Sequence, residues 1–310
     1  MRYLVTGGAG FIGSNTVSEL VRRGHSVTVI DDCSSGKEEN LAEVRSKITF
    51  VKESITDLDA VQRATCSADY VIHLAARTSV PRSVKEPLET NRINVDGTLN
   101  VFMAARDNQV KRVVYAASSS AYGETPTLPK TETMTPAPIS PYGVSKYTAE
   151  LYGQVFARCY ELGIVSLRYF NIFGPRQNPN SPYSGVLSRF ATAFLNGHQP
   201  IVYGDGEQTR DFTYVDNAVR ANLLACEAPN VSGRMFNIGT GRRMSLNQVL
   251  MHLERISGKK LRPKYEPSRE GDIRDSLADI QRARESLGYE PTVLFEKGLQ
   301  RTYAWYSANH

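Results

Sequence analysis

The chain has 310 residues, enough for one large domain or two ordinary ones with a sizeable core. With 41% hydrophobic and 22% charged residues, and no run near the roughly 20 apolar residues of a membrane span, it reads as a soluble globular protein. The net charge of +5 comes without a long basic run, which argues against nucleic acid and leaves a solvated surface suited to an anionic small molecule. The four cysteines, Cys33, Cys66, Cys159 and Cys226, are scattered, so neither a disulfide framework nor a metal site is expected. Residues 1–10 run into a strand and a glycine turn without a signal-peptide pattern, and a cytoplasmic location is expected.

Apolar runs at residues 2–6, 26–31, 48–52, 69–74, 112–117 and 164–170 read as buried strands. Helical patterns at 11–23, about 88–108 and about 142–162 alternate with them. Such alternation predicts an α/β fold with a doubly wound parallel sheet, a Rossmann domain spanning residues 1–170. After Asn171 the pattern changes to Gly- and Pro-rich segments with short strands at about 200–203 and 235–238. Helices are expected there at about 185–196, 215–227 and 245–256. The chain is expected to rejoin the sheet over about 211–230, so residues 171–210 and 231–310 would form a smaller, discontinuous α/β substrate domain.

Thr6-Gly7-Gly8-Ala9-Gly10-Phe11-Ile12-Gly13 lies between the first strand and the first helix. Gly7 permits a tight turn, Gly10 lets backbone N–H groups approach a pyrophosphate, and Gly13 allows close helix–strand packing. Phe11 and Ile12 belong to the same dinucleotide site. Asp31, ending the second strand, is placed for a ribose 2′-hydroxyl and would repel a 2′-phosphate, which favours NAD; Lys37 stands against that preference. Asp57, with Leu58, could bond the adenine amino group, although an acid there is commonly a helix cap. Leu74-Ala75-Ala76 ends the fourth strand with small residues that leave room for a dinucleotide.

Tyr142 and Lys146 are four residues apart, on one face of a helix. A free tyrosine, with a pKa of about 10, is a poor base at neutral pH, but a nearby ammonium and a positive nicotinamide would favour its phenolate. Lys146 can also hold the nicotinamide ribose. Ser118-Ser119-Ser120 follows the fifth strand at the sheet end where ligands bind. Each feature alone is common, but their order along one chain points to hydride chemistry on a hydroxyl group.

The glycine turn, the serine run before Tyr122-Gly123 and the Tyr142/Lys146 pair resemble the extended short-chain dehydrogenase/reductases. The likeness continues through Arg168 to Pro175, Arg210-Asp211-Phe212 and Arg269-Glu270-Gly271-Asp272, and is strongest to UDP-N-acetylglucosamine/UDP-glucose 4-epimerases. The resemblance implies Tyr142 as base, Lys146 as its partner and Ser118, helped by Ser119, as the catalytic hydroxyl. It further implies Phe170 beside the nicotinamide and Asn171 on the sugar diphosphate. Arg210 and Arg269 would bind the phosphates, a role suited to guanidinium forks, although either could be an ordinary salt-bridge partner. Tyr203 would pack on uracil, and Asp272 would lie near the nucleoside ribose.

Small residues at two wall positions, Gly185 and Ser276, with Ser79 beside the sugar, would admit an N-acetyl group. A homodimer through the helices around 88–108 and 142–162 is also implied. Ser118 is followed by Ser119-Ser120-Ala121, with no carboxylate before Glu124, which argues against 4,6-dehydration and favours epimerisation through a 4-keto sugar. A uronate epimerase or decarboxylase would need a further cation, for which Arg77 and Arg82 are candidates. A non-catalytic NAD sensor or scaffold would need only the glycine turn.

Overall fold

The computed structural model describes residues 1–178, 185–268 and 273–309. β1 (Arg2–Thr6) turns at Gly7 into α1 (Phe11–Arg22), and β2 (Ser26–Ile30) follows. A 3-10 run at Glu38–Lys47, which periodicity did not suggest, leads to β3 (Ile48–Val51), α2 (Leu58–Thr65) and β4 (Tyr70–His73). After α3 (Val80–Lys85), the stretch expected as one helix is divided into α4 (Pro87–Asn91), a π-helical turn at Arg92–Asp96 and α5 (Gly97–Asp107). Such turns recur at functional sites. Here Asn94 lies within it, and its side chain accepts from Arg77 N at 2.7 Å and donates to Arg77 O at 3.1 Å.

β5 (Arg112–Ser118), α6 (Pro141–Cys159) and β6 (Ile164–Tyr169) complete the regular half. Beyond Asn171 come β7 (Ile172–Phe173), α7 (Val186–Asn196), β8 (Ile201–Tyr203), β9 (Thr209–Arg210), β10 (Thr213–Tyr214) and α8 (Val215–Glu227). β11 (Met235–Ile238), β12 (Met244–Ser245), α9 (Leu246–Ser257), β13 (Lys264–Glu266), α10 (Gln281–Leu287) and α11 (Phe295–Ala308) follow.

The main sheet is seven-stranded, in the order β11-β6-β5-β4-β1-β2-β3. All of its pairings are parallel. The doubly wound parallel sheet expected from the apolar runs is therefore present. Its winding reverses at β1, between β2 and β4, which opens a crevice at the carboxyl ends of the strands. One boundary needs correction. Residues 235–238 were expected in the smaller unit, but Met235, Phe236, Asn237 and Ile238 pair in register with Ser166 to Tyr169 of β6. Four residues are too few for periodicity to reveal which sheet they join.

Buried side chains form a cluster on each face of the sheet. The larger one runs without a break from Val5, Val29 and Ile72 to Phe173, Phe190 and Leu246 beyond the sheet. The later segments therefore share a core with the dinucleotide half, so a substrate held by one is fixed relative to a cofactor held by the other. Among the described residues, no helix is long and apolar enough to cross a membrane.

Candidate active site

The turn after β1 has room for a ligand because side chains are missing where they would collide with backbone. Gly7 has a φ of +68°, and a Cβ there would lie 2.7 Å from Ala75 N and Cα. A Cβ on Gly13 would lie 2.1 Å from Gly7 O, so the helix meets the turn only as glycine. Gly10 is the N-cap of α1 and makes no side-chain capping bond, which leaves the first N–H groups, those of Phe11, Ile12 and Gly13, available to an anion.

Asp31 Oδ2 accepts from Ala9 N at 2.9 Å and Oδ1 accepts from Cys33 N at 2.8 Å. Burial raises the pKa of the Asp31 carboxyl, while these backbone donors pull it down. The carboxylate thus holds the turn and keeps lone pairs for a ribose hydroxyl. These features fit NAD. Ala75 N is tied to Thr6 Oγ1 at 3.1 Å and Leu74 N to Thr6 O at 3.2 Å, so Leu74, Ala75 and Ala76 form the opposite wall. Asp57 has the capping role: its Oδ1 accepts from Ala60 N at 3.0 Å at the start of α2.

Tyr142 and Lys146 lie in the first turns of α6, close to the end of β5 and Ser118. Burial raises the pKa of the Tyr142 phenol, and the neighbouring Ser118 side chain, the smaller effect, pulls it down towards the phenolate. Ser120 Oγ donates to Ser118 Oγ at 2.8 Å, leaving the Ser118 proton directed elsewhere. Ser119 is half-buried on the same turn. Lys146 Nζ donates to Ala116 O at 2.8 Å and lies 5.0 Å from the centre of the Tyr115 ring, and burial brings its pKa down to about 7.

Several supporting residues carry no local sequence signal. Ser83 Oγ accepts from Tyr142 N at 3.0 Å, and Asn94 Nδ2 donates to Ser145 Oγ at 3.0 Å. Ser145 Oγ in turn donates to Tyr142 O at 2.8 Å. His73 joins Thr6 Oγ1 at 2.6 Å to Thr98 Oγ1 at 2.9 Å; burial and the Lys146 charge hold it near a pKa of about 3, so it is neutral. A buried chain of bonds thus links the glycine turn to the helix of the base. It joins residues far apart in sequence, so of its members only Thr6 in the glycine turn and Tyr142 were visible beforehand.

Tyr169 pairs in register with Ser118, and two residues later Asn171 enters a cavity of about 260 Å³. Asn171, Gly185, Tyr203 and Arg210 all line it, which brings together four of the expected substrate residues. Arg189 and Gln208, which the sequence did not single out, line it as well. The Arg189 guanidinium sits 5.7 Å from the centre of the Tyr203 ring. Arg210 Nη1 donates to Thr209 O and Arg274 O, both at 2.9 Å, which sets the direction of its fork. Gly185 is the N-cap of α7, and among the described residues a Cβ there would meet the end of the Gln177 side chain at 3.2 Å.

Other expectations fare differently. Phe170 is 0% exposed and packs 6.1 Å from the Tyr122 ring, so its ring is a core element and not an open wall for the nicotinamide. Ser79 caps α3 by accepting from Arg82 N at 3.1 Å. Ser276 is half-buried, donates through its backbone to Thr209 O at 3.1 Å, and is not among the cavity-lining residues. Arg269 and Asp272 lie outside the described residues.

The family model described as "NAD dependent epimerase/dehydratase family" matches residues 3–239. A UDP-glucose 4-epimerase of Mycolicibacterium smegmatis is 39% identical, over 99% of this chain and 98% of that protein. A UDP-glucose 4-epimerase of Thermotoga maritima, solved with UDP-glucose, superposes with a TM-score of 0.95 at 43% identity, covering 100% of this chain and 99% of the other. A UDP-N-acetylglucosamine 4-epimerase of Methanobrevibacter ruminantium M1, in complex with UDP-N-acetylmuramic acid, superposes at 0.96 with 41% identity and the same coverage. With the glycine turn, Asp31 and the tyrosine–lysine–serine geometry agreeing, the chain belongs to the NAD-dependent epimerase/dehydratase family.

Proposed function

We propose reversible C4 epimerisation of a UDP-hexose, with UDP-GlcNAc and UDP-GalNAc as the preferred pair and UDP-Glc and UDP-Gal as the second. The observation that carries this reading is the placement of Tyr142 and Lys146 at the start of α6 beside Ser118, whose strand partner Tyr169 stands two residues before Asn171 in a cavity lined by Arg210 and Tyr203. Tyr142 takes the proton of the sugar 4-hydroxyl. Ser118, accepting from Ser120, spends its own proton on the oxygen that changes charge. Lys146 lends the ribose and the phenolate a nearby donor. NAD⁺, when bound, supplies the reversible hydride acceptor that oxidises C4 and later returns the hydride to the opposite face. Between the two transfers the diphosphate is held at Arg210 and Asn171 while the 4-keto sugar turns over, after which Tyr142 gives its proton back.

The serine turn carries Ser119, Ser120 and Ala121 after Ser118, and thus no acid for elimination. The two cations expected for a uronate reading both pair with one acid, which speaks for an uncharged sugar. Arg77 Nη1 lies 2.8 Å and Arg82 Nε 3.5 Å from the same carboxylate, that of Glu86. The N-acetyl preference rests on Gly185 at the cavity wall, and Ser276, which does not line the cavity, enters it only through the family resemblance. Homodimerisation is part of the proposal. Leu88 of α4 is 86% exposed, and Val144, Leu151 and Val155 of α6 are exposed apolar side chains on the neighbouring helix.

The test is a panel of UDP-hexoses, UDP-N-acetylhexosamines and UDP-glucuronate incubated without added NADH, with products resolved by chromatography. Conversion between C4 epimers of the N-acetylated pair is expected. Turnover of the uronate alone, or release of CO₂, would overturn it. Ser276→Tyr is expected to lower N-acetylated turnover while Glc/Gal turnover persists; equal effects on both pairs would remove the size gate.

A further inference from the structure

We propose that Arg168 and Glu150 are a positioning pair that sets the Tyr142–Ser118 distance, a proposal that rests on reading those two residues as the proton-transfer pair. Tyr142, Lys146 and Glu150 recur every four residues on α6 and so share the face turned to the sheet. Arg168 of β6 binds the Glu150 carboxylate through both arms of its fork, Nε to Oε2 at 2.8 Å and Nη2 to Oε1 at 2.6 Å. Its strand partner is Ala117, next to Ser118. The same guanidinium lies 4.7 Å from the centre of the Tyr122 ring, and Tyr122 closes the turn Ser119–Tyr122 that begins at Ser118. The Tyr122 hydroxyl is fixed in turn, donating to Asn237 Oδ1 at 2.7 Å. One planar group therefore grips the helix of the base on one side and the turn of the hydroxyl on the other.

Stability alone is a poor reason for this arrangement. Both side chains are 1% exposed, and an ion pair so deeply buried gains little over a well-packed apolar pair of similar volume. Arg168 Nη1 is also buried without a hydrogen-bond partner among the described residues, a cost that an apolar replacement would not carry. What the fork supplies, and an apolar pair does not, is a fixed angle between helix and strand. A small shift there moves Tyr142 relative to Ser118 and to a bound sugar.

The decisive variant is Glu150→Leu/Arg168→Met, which removes both charges together and leaves no buried ion uncompensated. It is expected to melt cooperatively near the parent temperature and to bind NAD and UDP-sugar within about 3-fold of the parent, with kcat lowered by about 100-fold. The acid limb of its kcat profile should move to higher pH, because Ser118, which pulls the Tyr142 pKa down, would no longer be held beside it. Arg168→Lys keeps the charge without the fork and is expected to lower kcat by about 10-fold at unchanged KM. If the double variant does not fold, Arg168→Lys decides the matter. An unchanged kcat and pH limb in a folded variant would overturn the proposal. Tyr142 ionisation, followed as tyrosinate absorbance against a Tyr142→Phe reference, should rise in the double variant whatever the substrate is. A parent inactive on every UDP-hexose would refute the functional reading and leave this readout standing.

Discussion

The half of the chain before Asn171 and the half after it are stabilised in different ways. Up to Tyr169, the strands pair along four to six residues with their neighbours, and the glycine turn is held mainly by backbone bonds within this frame. After Asn171, apart from β11, the strands are two or three residues long and cannot hold themselves. There a buried carboxylate does the work. Asp211 accepts from Thr240 N at 2.8 Å, Thr240 Oγ1 at 2.7 Å, Gly241 N at 3.0 Å and Ala278 N at 3.2 Å, next to Arg210. The half with the glycine turn is thus built on a repetitive ladder, and the half proposed to hold the nucleotide sugar on single polar clamps. Damage to the first should cost fold and cofactor together, and damage to the second should cost substrate binding.

The largest effect is expected at the seam between the two. Tyr142→Phe removes the proton acceptor without touching either frame, so kcat should fall by about 10³-fold while melting temperature and NAD affinity stay at the parent values, by steady-state assay and calorimetry. On the ladder side, Gly13→Ala drives a Cβ into Gly7 O, a backbone atom that cannot yield. A loss of about 3 kcal/mol in urea unfolding, together with loss of NAD binding, is expected. On the clamp side, Asp211→Asn leaves backbone donors facing an amide and should cost about 2 kcal/mol, with UDP-sugar KM raised and NAD affinity unchanged. An equal loss of NAD affinity would break the comparison.

Arg210→Lys is smaller still. It keeps the charge and loses the fork, so KM for the UDP-sugar should rise by about 10-fold with kcat nearly constant. The smallest effect on stability concerns Lys146, whose pKa burial brings down to about 7 in the folded protein. The unfolded chain then binds more protons between that pH and about 10.4, so stability of the cofactor-free protein should rise with pH across this window. Lys146→Met should abolish that rise and stabilise the cofactor-free protein by about 1 kcal/mol at pH 7 while eliminating turnover, as urea titrations at two pH values would reveal.

The cofactor site was legible because its chemistry is written in short windows. Gly7, Gly10 and Gly13 report a turn, and Tyr142 and Lys146 report a helix face, without reference to distant residues. The tertiary contacts were not. Asp57 caps α2 and Ser79 caps α3, roles that leave their ligand contacts open, while the Phe170 ring is sealed in the core. Their roles depend on which neighbour reaches them first.

By itself, then, the sequence determined the run of parallel strands, the glycine turn and the helix face that carries Tyr142 and Lys146, since helix and strand periods and backbone sterics act over a few residues. Only the tertiary structure decided that β11 joins the sheet, that Glu86 takes up both Arg77 and Arg82, and that Arg168 ties the helix of Tyr142 to the turn of Ser118. Ion pairs, strand register and stacking join residues brought together by folding. Their energies depend on burial and angle, which no local stretch of sequence contains.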